Sequence, residues 1–164
     1  MSKYNVVMEM NDSTVVTEYN PVEKRSASYQ SEADLEKEFI KILKEQGYDY
    51  LKIHDSNSLI NNLRKQLELL NNYNFTDSEW EKFYNDNICN NNDGIVEKTR
   101  KIQEDNIQVL KRDDGTSKNI TLIDKKNIHN NKLQVINQYE ENEGNYKNRY
   151  DVTILVNGFP LVHV

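Results

Sequence analysis

One carboxylate in this sequence stands at a position where chemistry is plausible. Asp151 follows Arg149 and Tyr150 and enters an apolar, β-branched segment that runs to Val156. A carboxylate at the mouth of a buried strand costs free energy unless it is paired, hydrogen-bonded or bound to a metal ion. Two interpretations stay open from the residues alone: a metal ligand, or a solvated strand end beside Arg149.

The segment after Asp151 carries a strong hairpin signal. Asn157-Gly158 is the pair that tight two-residue turns prefer, and a return strand begins at Phe159. With a three-residue loop, the first residue after Val164 would face Asp151, whereas with a two-residue loop Val164 itself would face it. Because Leu161 to Val164 contains no turn residue, cap or polar tail, we expect the chain to be truncated in mid-strand.

Other residue types give weaker signals. His54, His129 and His163 lack the spacing of metal ligands, although His163 is close to the candidate site. Cys89 is the only cysteine, which excludes an intramolecular disulfide and a zinc site built on several thiolates. No G-x-G pattern occurs among the five glycines, so we expect no nucleotide-binding loop within this chain.

A basic stretch lies in the second half of a chain whose formal net charge is -6. The stretch contains three acidic residues, Asp113, Asp114 and Asp124, and a larger number of basic residues. The basic residues are Lys111, Arg112, Lys118, Lys125, Lys126 and Lys132. The stretch suits a DNA backbone, and a solvated hairpin face explains it equally well. Because the whole chain is acidic, any contact with DNA must be local.

Caps and apolar periodicity predict the elements that position these residues. Four helices are expected, the first three from a cap or an apolar stripe, and the fourth as a short helix without a clear amphipathic stripe over 98–103. They begin at Ser31 (with Asp34 at the capping-box position, ending at Gly47), about Asn57, Thr76 (with Glu79) and Ile95. The third helix would bury Trp80, Phe83 and Tyr84.

Strands are expected between and after these helices, because short apolar or alternating runs are bounded by turn residues. The predicted strands are 48–53, 107–110 and 120–123 around an Asp-Gly turn, 133–136 (alternatively a short helix), 150–156 and the strand from 159. Helices and strands together indicate one α/β domain. Residues 1–28 are expected to form a tail or an edge hairpin ahead of a region spanning 29–164.

The apolar runs are too short to span a bilayer, and the first ten residues lack a secretory signal. We therefore expect a cytoplasmic protein that does not use a membrane as a partner.

Four segments resemble a known family. They are Tyr29 to Glu36, Gly47 to Tyr50, Ile123 to Asn127 and, most specifically, Asn148 to Val162. Together they resemble the N-terminal nuclease region of the restriction (R, or HsdR) subunit of type I restriction-modification enzymes. The resemblance covers about Tyr29 to Val164 and implies a restriction-endonuclease-like mixed sheet flanked by helices, truncated at its C-terminal end.

In that family the last segment is the first half of a D…E-x-K nuclease signature, and Asp151 matches its aspartate. The glutamate and lysine would fall one and three positions after Val164. Such a signature binds Mg²⁺, which polarises the scissile phosphate and activates water, while the lysine orients the water. The resemblance therefore implies that Asp151 is a catalytic metal ligand and that this chain alone does not cleave DNA.

The resemblance also points to less specific residues. Glu32 and Glu36 lie four apart on the first helix, and related nucleases often place a helix acid near the metal. Favourable charges in a first helical turn explain them at least as well. Lys125, Lys126 and Arg149 are candidates for contacts with DNA.

For the whole protein, the resemblance implies Mg²⁺-dependent endonucleolytic cleavage of double-stranded DNA. Cleavage would be coupled to ATP hydrolysis by a motor region absent from this chain, and modification (M) and specificity (S) subunits would be partners. Two alternatives stay open: a DNA repair or junction-resolving nuclease with the same core, and a non-catalytic docking domain in which Asp151 pairs with Arg149.

Overall fold

The structure, a computed structural model, describes residues 5–10, 13–17, 31–141 and 148–164, with side chains described for 31–138 and 151–164. The chain divides into two compact units, 1–35 and 36–164, which are described separately. In the first unit, β1 (Asn5–Met10) pairs antiparallel with β2 (Ser13–Thr17). Residues 18–28 of the predicted tail lie outside the described residues, and the boundary at 28/29 stays a prediction.

The first helix, α1 (Glu32–Glu45), begins at the predicted cap. Ser31 Oγ accepts a hydrogen bond from the Asp34 amide at 3.2 Å and donates one to the Asp34 carboxylate at 2.7 Å. Gly47 has a φ of 94° and ends the helical segment, as expected. The strand predicted at 48–53 was too long: β3 contains only Asp49–Tyr50, because the chain turns away soon afterwards to start the next helix.

Four strands form the main sheet, in the order β3-β6-β7-β8. The three longer strands are β6 (Leu133–Glu141), β7 (Asn148–Val156) and β8 (Phe159–His163). The β3 strand runs parallel to β6, whereas β6, β7 and β8 pair antiparallel. The sheet is therefore mixed, and the segment 133–136 is strand rather than helix.

Helices cover both faces of this sheet. On one face, Leu43 of α1 packs with Val135 and Val152. On the other face, Leu59 of α2 (Ser56–Asn71) packs against the cluster that contains Ile136 and Leu155. The mixed sheet flanked by helices confirms the predicted α/β class.

A further group of elements extends the α2 side of the domain. Thr76 and Glu79 form the predicted capping box of α3 (Asp77–Phe83), and Trp80 and Phe83 are buried in the core, as expected. A π-helical turn follows; the remaining elements are α4 (Ile95–Gln103) and the hairpin of β4 (Ile107–Lys111) and β5 (Ser117–Thr121).

The β5 strand begins earlier than the predicted 120–123, because the turn at Gly115 pairs Lys111 with Ser117. None of the helices in the described ranges combines the length and apolar character needed to span a bilayer.

Candidate active site

Asp151 lies in β7 within the ladder between β6 and β7, which extends from Val156 to Asn148. Its neighbours Val152 and Tyr150 pair with Asn137 and Tyr139. Successive side chains in a strand point to opposite faces. Because Val152 packs beneath α1 and Leu155 packs beneath α2, Asp151 belongs to the α2 face. Its side chain is exposed, so water hydrates the carboxylate, and this exposure is compatible with both interpretations that the residues left open.

The hairpin of β7 and β8 combines features of the two predicted hairpins. The turn itself has two residues, Asn157 and Gly158, because Val156 pairs with Phe159 and Leu155 with Pro160. A bulge then shifts the register, and Ile154 pairs with Val162. One extra residue at Leu161 thus gives the strand end the register expected for the three-residue loop.

The last pairing places the end of the chain beside Asp151. Val152 and Val164 exchange both backbone hydrogen bonds, with N···O distances of 3.2 and 2.8 Å. They are therefore a hydrogen-bonded pair, and the position after Val164 would form a non-hydrogen-bonded pair with Asp151. Cα atoms in such pairs are about 4.5 Å apart and their side chains share a face. In a strand that continued this register, that position would be the cross-strand neighbour of Asp151 on the α2 face.

Hydrogen bonds of the Asn157 side chain stabilise the turn between β7 and β8. Asn157 is 1% exposed and has a φ of 51°. Its side-chain amide donates to Leu122 O at 3.1 Å and to Asn131 Oδ1 at 2.8 Å, while its Oδ1 accepts from the Lys132 amide at 2.7 Å. The next residue, Gly158, lies so close to α2 that an added Cβ would be 2.6 Å from Leu63 Cα. The hairpin is thereby held at both its turn residues.

The segment Ile123 to Asn127, one of the four that carry the family resemblance, has a structural role here. The Asp124 carboxylate accepts hydrogen bonds from the amides of Lys126 and Asn127 and from Asn130 Nδ2. These donors, with the Asn127 amide foremost, hold the pKa of Asp124 below its usual value. Asn131 joins this turn to Asn157, so the segment helps to hold the hairpin.

The two lysine candidates lie in the turn that contains Asp124. Lys125 Nζ donates to the carbonyl oxygens of Gln103 and Glu104, at the end of α4. Lys126 is exposed in the same turn. Arg149 lies in β7 opposite Glu140, and its side chain lies outside the described residues.

The two acidic candidates of α1 are placed differently from Asp151. Glu36 Oε1 accepts a hydrogen bond from Asn137 Nδ2 at 2.5 Å, and Asn137 Oδ1 accepts one from Tyr50 OH at 2.7 Å. Since Asn137 pairs with Val152, this contact lies on the α1 face of the sheet, opposite Asp151. Glu32 is exposed in the first turn of α1. Among the described residues, no three His, Cys, Asp or Glu side chains form a potential metal-binding group.

Thr153, which the sequence did not single out, and His163, which the sequence placed close to the candidate site, lie on the same face of the sheet as Asp151. Thr153 is 1% exposed, and its Oγ1 lies 3.0 Å from Nδ1 of His163, its cross-strand partner. The strand alternation from Asp151 could have identified Thr153, and the predicted three-residue loop would have paired it with His163. His54 and His129 are exposed elsewhere.

The main cavity in the described part of the chain lies away from Asp151. It measures about 720 Å³, and its apolar lining includes Ile95 and Ile102 of α4 with Phe159, Pro160 and Leu161 of β8. These β8 residues are at the turn end of the hairpin, whereas Asp151 lies beside its other end. The cavity therefore forms no part of the Asp151 site.

Comparisons with known proteins agree on one family. The family model described as "Type I restriction enzyme R protein N terminus" matches residues 29–164. The chain is 46% identical over 159 residues to the type I restriction enzyme EcoprrI endonuclease subunit of Escherichia coli, covering 96% of this chain and 50% of that protein.

More distant relatives carry the same description. The chain is 36% identical over 141 residues to the SsaAORF53P endonuclease subunit of Staphylococcus saprophyticus and 37% identical over 142 residues to the SauMSSORF170P endonuclease subunit of Staphylococcus aureus. These alignments cover 83% and 84% of this chain but only 14% and 15% of the relatives. The chain thus spans half the length or less of the curated relatives that it matches.

Proposed function

The chain belongs to the family of type I restriction enzyme R protein N termini, and from this membership we propose that it forms the first part of the nuclease region of a restriction endonuclease subunit. Its substrate is double-stranded DNA, which the whole protein cleaves endonucleolytically. Asp151 is the residue of this chain that takes part in the chemistry. The family membership favours this function over a repair or junction-resolving nuclease.

The observation that carries the proposal is the β7–β8 register. Val152 pairs with Val164, so the next position faces Asp151 on the α2 face. In the D…E-x-K signature that the sequence resembles, that position holds the glutamate. The lysine, two positions further, returns to the same face because strand side chains alternate. Two acids and one base would then stand together at one end of the hairpin.

The residues of this chain fit a magnesium ion only in part. Carboxylate oxygens suit Mg²⁺, which is usually bound by one or two carboxylates together with water and substrate phosphate. Asp151 is exposed and supplies one such ligand, whereas Glu36 faces the other side of the sheet. When bound, the ion polarises the phosphate and lowers the pKa of water. We expect weak Mg²⁺ binding and no cleavage by this chain alone.

The same proposal covers the partner subunits, the use of ATP, the location of the complex and the less specific site residues. The relatives are named as subunits, which supports assembly with modification and specificity subunits. ATP-driven translocation would belong to a motor region outside this chain, and the complex would act in the cytoplasm. Lys125, Lys126 and Arg149 would contact the DNA backbone, while Glu32 and Glu36 are the weaker candidates for metal ligands.

The test is Asp151→Asn in the complete endonuclease subunit, assembled with its partners. We expect cleavage to fall by at least about 100-fold, because the substitution removes an anionic metal ligand. Thermal unfolding should be nearly unchanged, since the side chain is exposed. Asp86→Asn, at another exposed aspartate in the π-helical turn, is the matched control and should cleave normally.

Normal cleavage by Asp151→Asn would contradict the proposal. It would favour instead the docking-domain function, in which Asp151 is a surface charge of small energetic effect.

A further inference from the structure

We propose that Asn157 is a deamidation site that the folded β7–β8 hairpin protects. When the turn opens, the backbone nitrogen of Gly158 attacks the side-chain amide of Asn157. The reaction converts Asn157 irreversibly to aspartate or isoaspartate, and neither product lets the turn close as before. This modification goes beyond the proposed nuclease function and does not require it.

The reaction needs only the residues of the turn and water. The sequence contains a single Asn-Gly pair, Asn157-Gly158, and glycine has no side chain to hinder attack by its own backbone nitrogen. That nitrogen loses its proton to water and bonds to Cγ of Asn157, while the bond from Cγ to Nδ2 breaks and Nδ2 leaves as ammonia. Water then opens the cyclic imide: addition at Cγ gives aspartate, and addition at the main-chain carbonyl carbon gives isoaspartate. Water is consumed and ammonia released, so no oxidant is required.

The folded turn fixes the amide group that must react. Asn157 is 1% exposed, and its Nδ2 donates to Leu122 O at 3.1 Å and to Asn131 Oδ1 at 2.8 Å. Its Oδ1 accepts from the Lys132 amide at 2.7 Å. The loss of Nδ2 as ammonia breaks two of these hydrogen bonds, and the movement of Cγ to Gly158 strains the third. We therefore expect reaction only from conformations in which the turn has opened.

The β8 strand is the element whose opening releases the turn. Among its residues only Phe159 is buried, and within the described residues the strand pairs with β7 alone. Elements with few buried side chains and exposed backbone hydrogen bonds open at a lower free-energy cost than the core. Opening of this hairpin end would leave the rest of the domain folded. Deamidation should consequently be slow in the folded protein, and not absent.

Aspartate at position 157 does not fit the folded turn. A carboxylate oxygen would replace the donor of two hydrogen bonds and would face two acceptors, Leu122 O and Asn131 Oδ1. Asn131 would have to give up its own hydrogen bonds from Nδ2, to the carbonyl oxygens of Asp124 and Ile128, before it could turn and donate. A buried carboxylate in these surroundings costs free energy.

Isoaspartate changes the length of the turn itself. Its main chain passes through Cβ, which adds one backbone atom to a two-residue turn that pairs Val156 with Phe159. The added atom disturbs the register that follows. Because that register sets the position opposite Asp151, modification should also inactivate the complete endonuclease subunit. This last consequence rests on the proposed function.

The site and its protection are tested on the 164-residue chain by peptide mapping with mass spectrometry, after incubation at mildly alkaline pH. Asp114→Asn is the internal control, because it creates a second Asn-Gly pair in the exposed β4–β5 turn. Both pairs should react in concentrated urea. In the folded protein Asn157 should react at least about tenfold more slowly than in urea, and more slowly than position 114.

Three results of this experiment would overturn the proposal. The first is no reaction at Asn157 in urea, and the second is an equal rate at Asn157 in the folded and unfolded protein. The third is an equal rate at positions 114 and 157 in the folded protein, which would show that burial of the amide gives no protection.

The role of the hydrogen bonds is tested by Asn131→Ala, which removes an acceptor of the reacting amide. In the folded chain it should raise the deamidation rate about fivefold. Asn130→Ala is the matched control from the same turn, because the Asn130 side chain bonds Asp124 and Asn127, and it should leave the rate unchanged. Urea unfolding of both variants measures their global stability. An unchanged rate in Asn131→Ala, or equal acceleration in both variants, would contradict protection by these bonds.

The effect of the product is tested by Asn157→Asp. The thermal unfolding midpoint of the 164-residue chain should fall by at least about 5 °C, and cleavage by the complete endonuclease subunit should fall with it. Asn92→Asp makes the same chemical change at an exposed position and should alter neither. An unchanged midpoint in Asn157→Asp would overturn the proposed effect on the turn.

The outcomes also separate this inference from the nuclease function. Protected deamidation of Asn157, together with normal cleavage by Asp151→Asn, would overturn the nuclease function alone. Loss of cleavage in Asp151→Asn, together with no deamidation of Asn157 in urea, would overturn this inference alone.

Discussion

Single residues at the β7–β8 turn show how closely the candidate site depends on local geometry. Asn157 and Gly158 both have positive φ angles, as a tight turn of this class requires. Asn157 satisfies its buried amide with neighbouring loops, and Gly158 leaves room for the backbone of α2. These two residues therefore do more than reverse the chain: they hold the hairpin against the rest of the domain.

Gly158→Ala should destabilise the protein by about 2 kcal/mol or more, through a left-handed backbone and an overlap with Leu63. Urea unfolding measures the loss. Gly115→Ala is the matched control, because Gly115 has a similar φ of 83° but no atom within 4 Å of an added Cβ. It should cost only about 1 to 2 kcal/mol. Equal losses at the two positions would contradict the close approach to α2.

Glu79 should make stability depend on acidic pH. Its buried carboxylate accepts hydrogen bonds from Tyr73 OH and from the amides of Thr76 and Asp113. The Tyr73 hydroxyl is the main reason that the pKa of Glu79 is below its usual value. A lowered folded-state pKa stabilises the protein above the unfolded-state pKa, and this stabilisation is lost as the pH falls through the folded-state pKa.

The measurement compares the free energy of unfolding of the wild type and Glu79→Gln between neutral and acidic pH. The wild type should lose more stability than the variant on acidification. Parallel pH profiles for the two proteins would show that Glu79 does not contribute.

At the scale of elements, β8 decides whether a catalytic site can form. A slip of one residue between paired strands moves every following side chain to the other face. The bulge at Leu161 introduces such a shift after the turn, and thereby sets which residues of β8 accompany Asp151. Within the described residues, β8 pairs with β7 alone.

Paired cysteines test this register. In a Cys89→Ser background, Thr153→Cys with His163→Cys should form a disulfide on mild oxidation, because the two residues face each other in a non-hydrogen-bonded pair. Thr153→Cys with Val162→Cys should not, because their side chains point to opposite faces. Mass spectrometry of the oxidised proteins counts free thiols. A disulfide in the second variant alone would indicate a hairpin without the bulge.

At the scale of the whole molecule, the buried core lies within the second unit. The buried apolar side chains of the described residues run from Leu43 to Phe159, and the family match covers 29–164. The formal net charge of the chain is -6, so DNA binding by the proposed site depends on a local arrangement of donors and metal rather than on overall charge.

Removal of residues 1–30 should therefore leave a protein that folds cooperatively. The shortened chain retains Ser31, the cap of α1, and every buried apolar residue of the described core. Its thermal unfolding midpoint should lie within a few degrees of that of the full chain, which corresponds to about 1 kcal/mol or less. Loss of the cooperative transition would show that the first unit is required for folding.

Much of the fold could be predicted because its signals are local. Ser31 with Asp34 and Thr76 with Glu79 are caps whose partners lie three residues away, and the Asn157-Gly158 turn is equally short-range. The strand at 48–53 was overestimated because strand length depends on a partner: β3 extends only as far as it pairs with β6. The exposure of Asp151, which the sequence left open, likewise depends on what packs around the strand.

The sequence by itself determined the caps, the turn, the alternation that gives β7 two faces, and the resemblance that pointed to Asp151. Those features depend on residues close together in the chain. Only the tertiary structure decided the bulge at Leu161, the contact between Thr153 and His163, and the placement of Glu36 on the opposite face of the sheet. Each of these depends on contacts between segments far apart in sequence, where packing and hydrogen bonding choose among registers and faces that the local pattern permits equally.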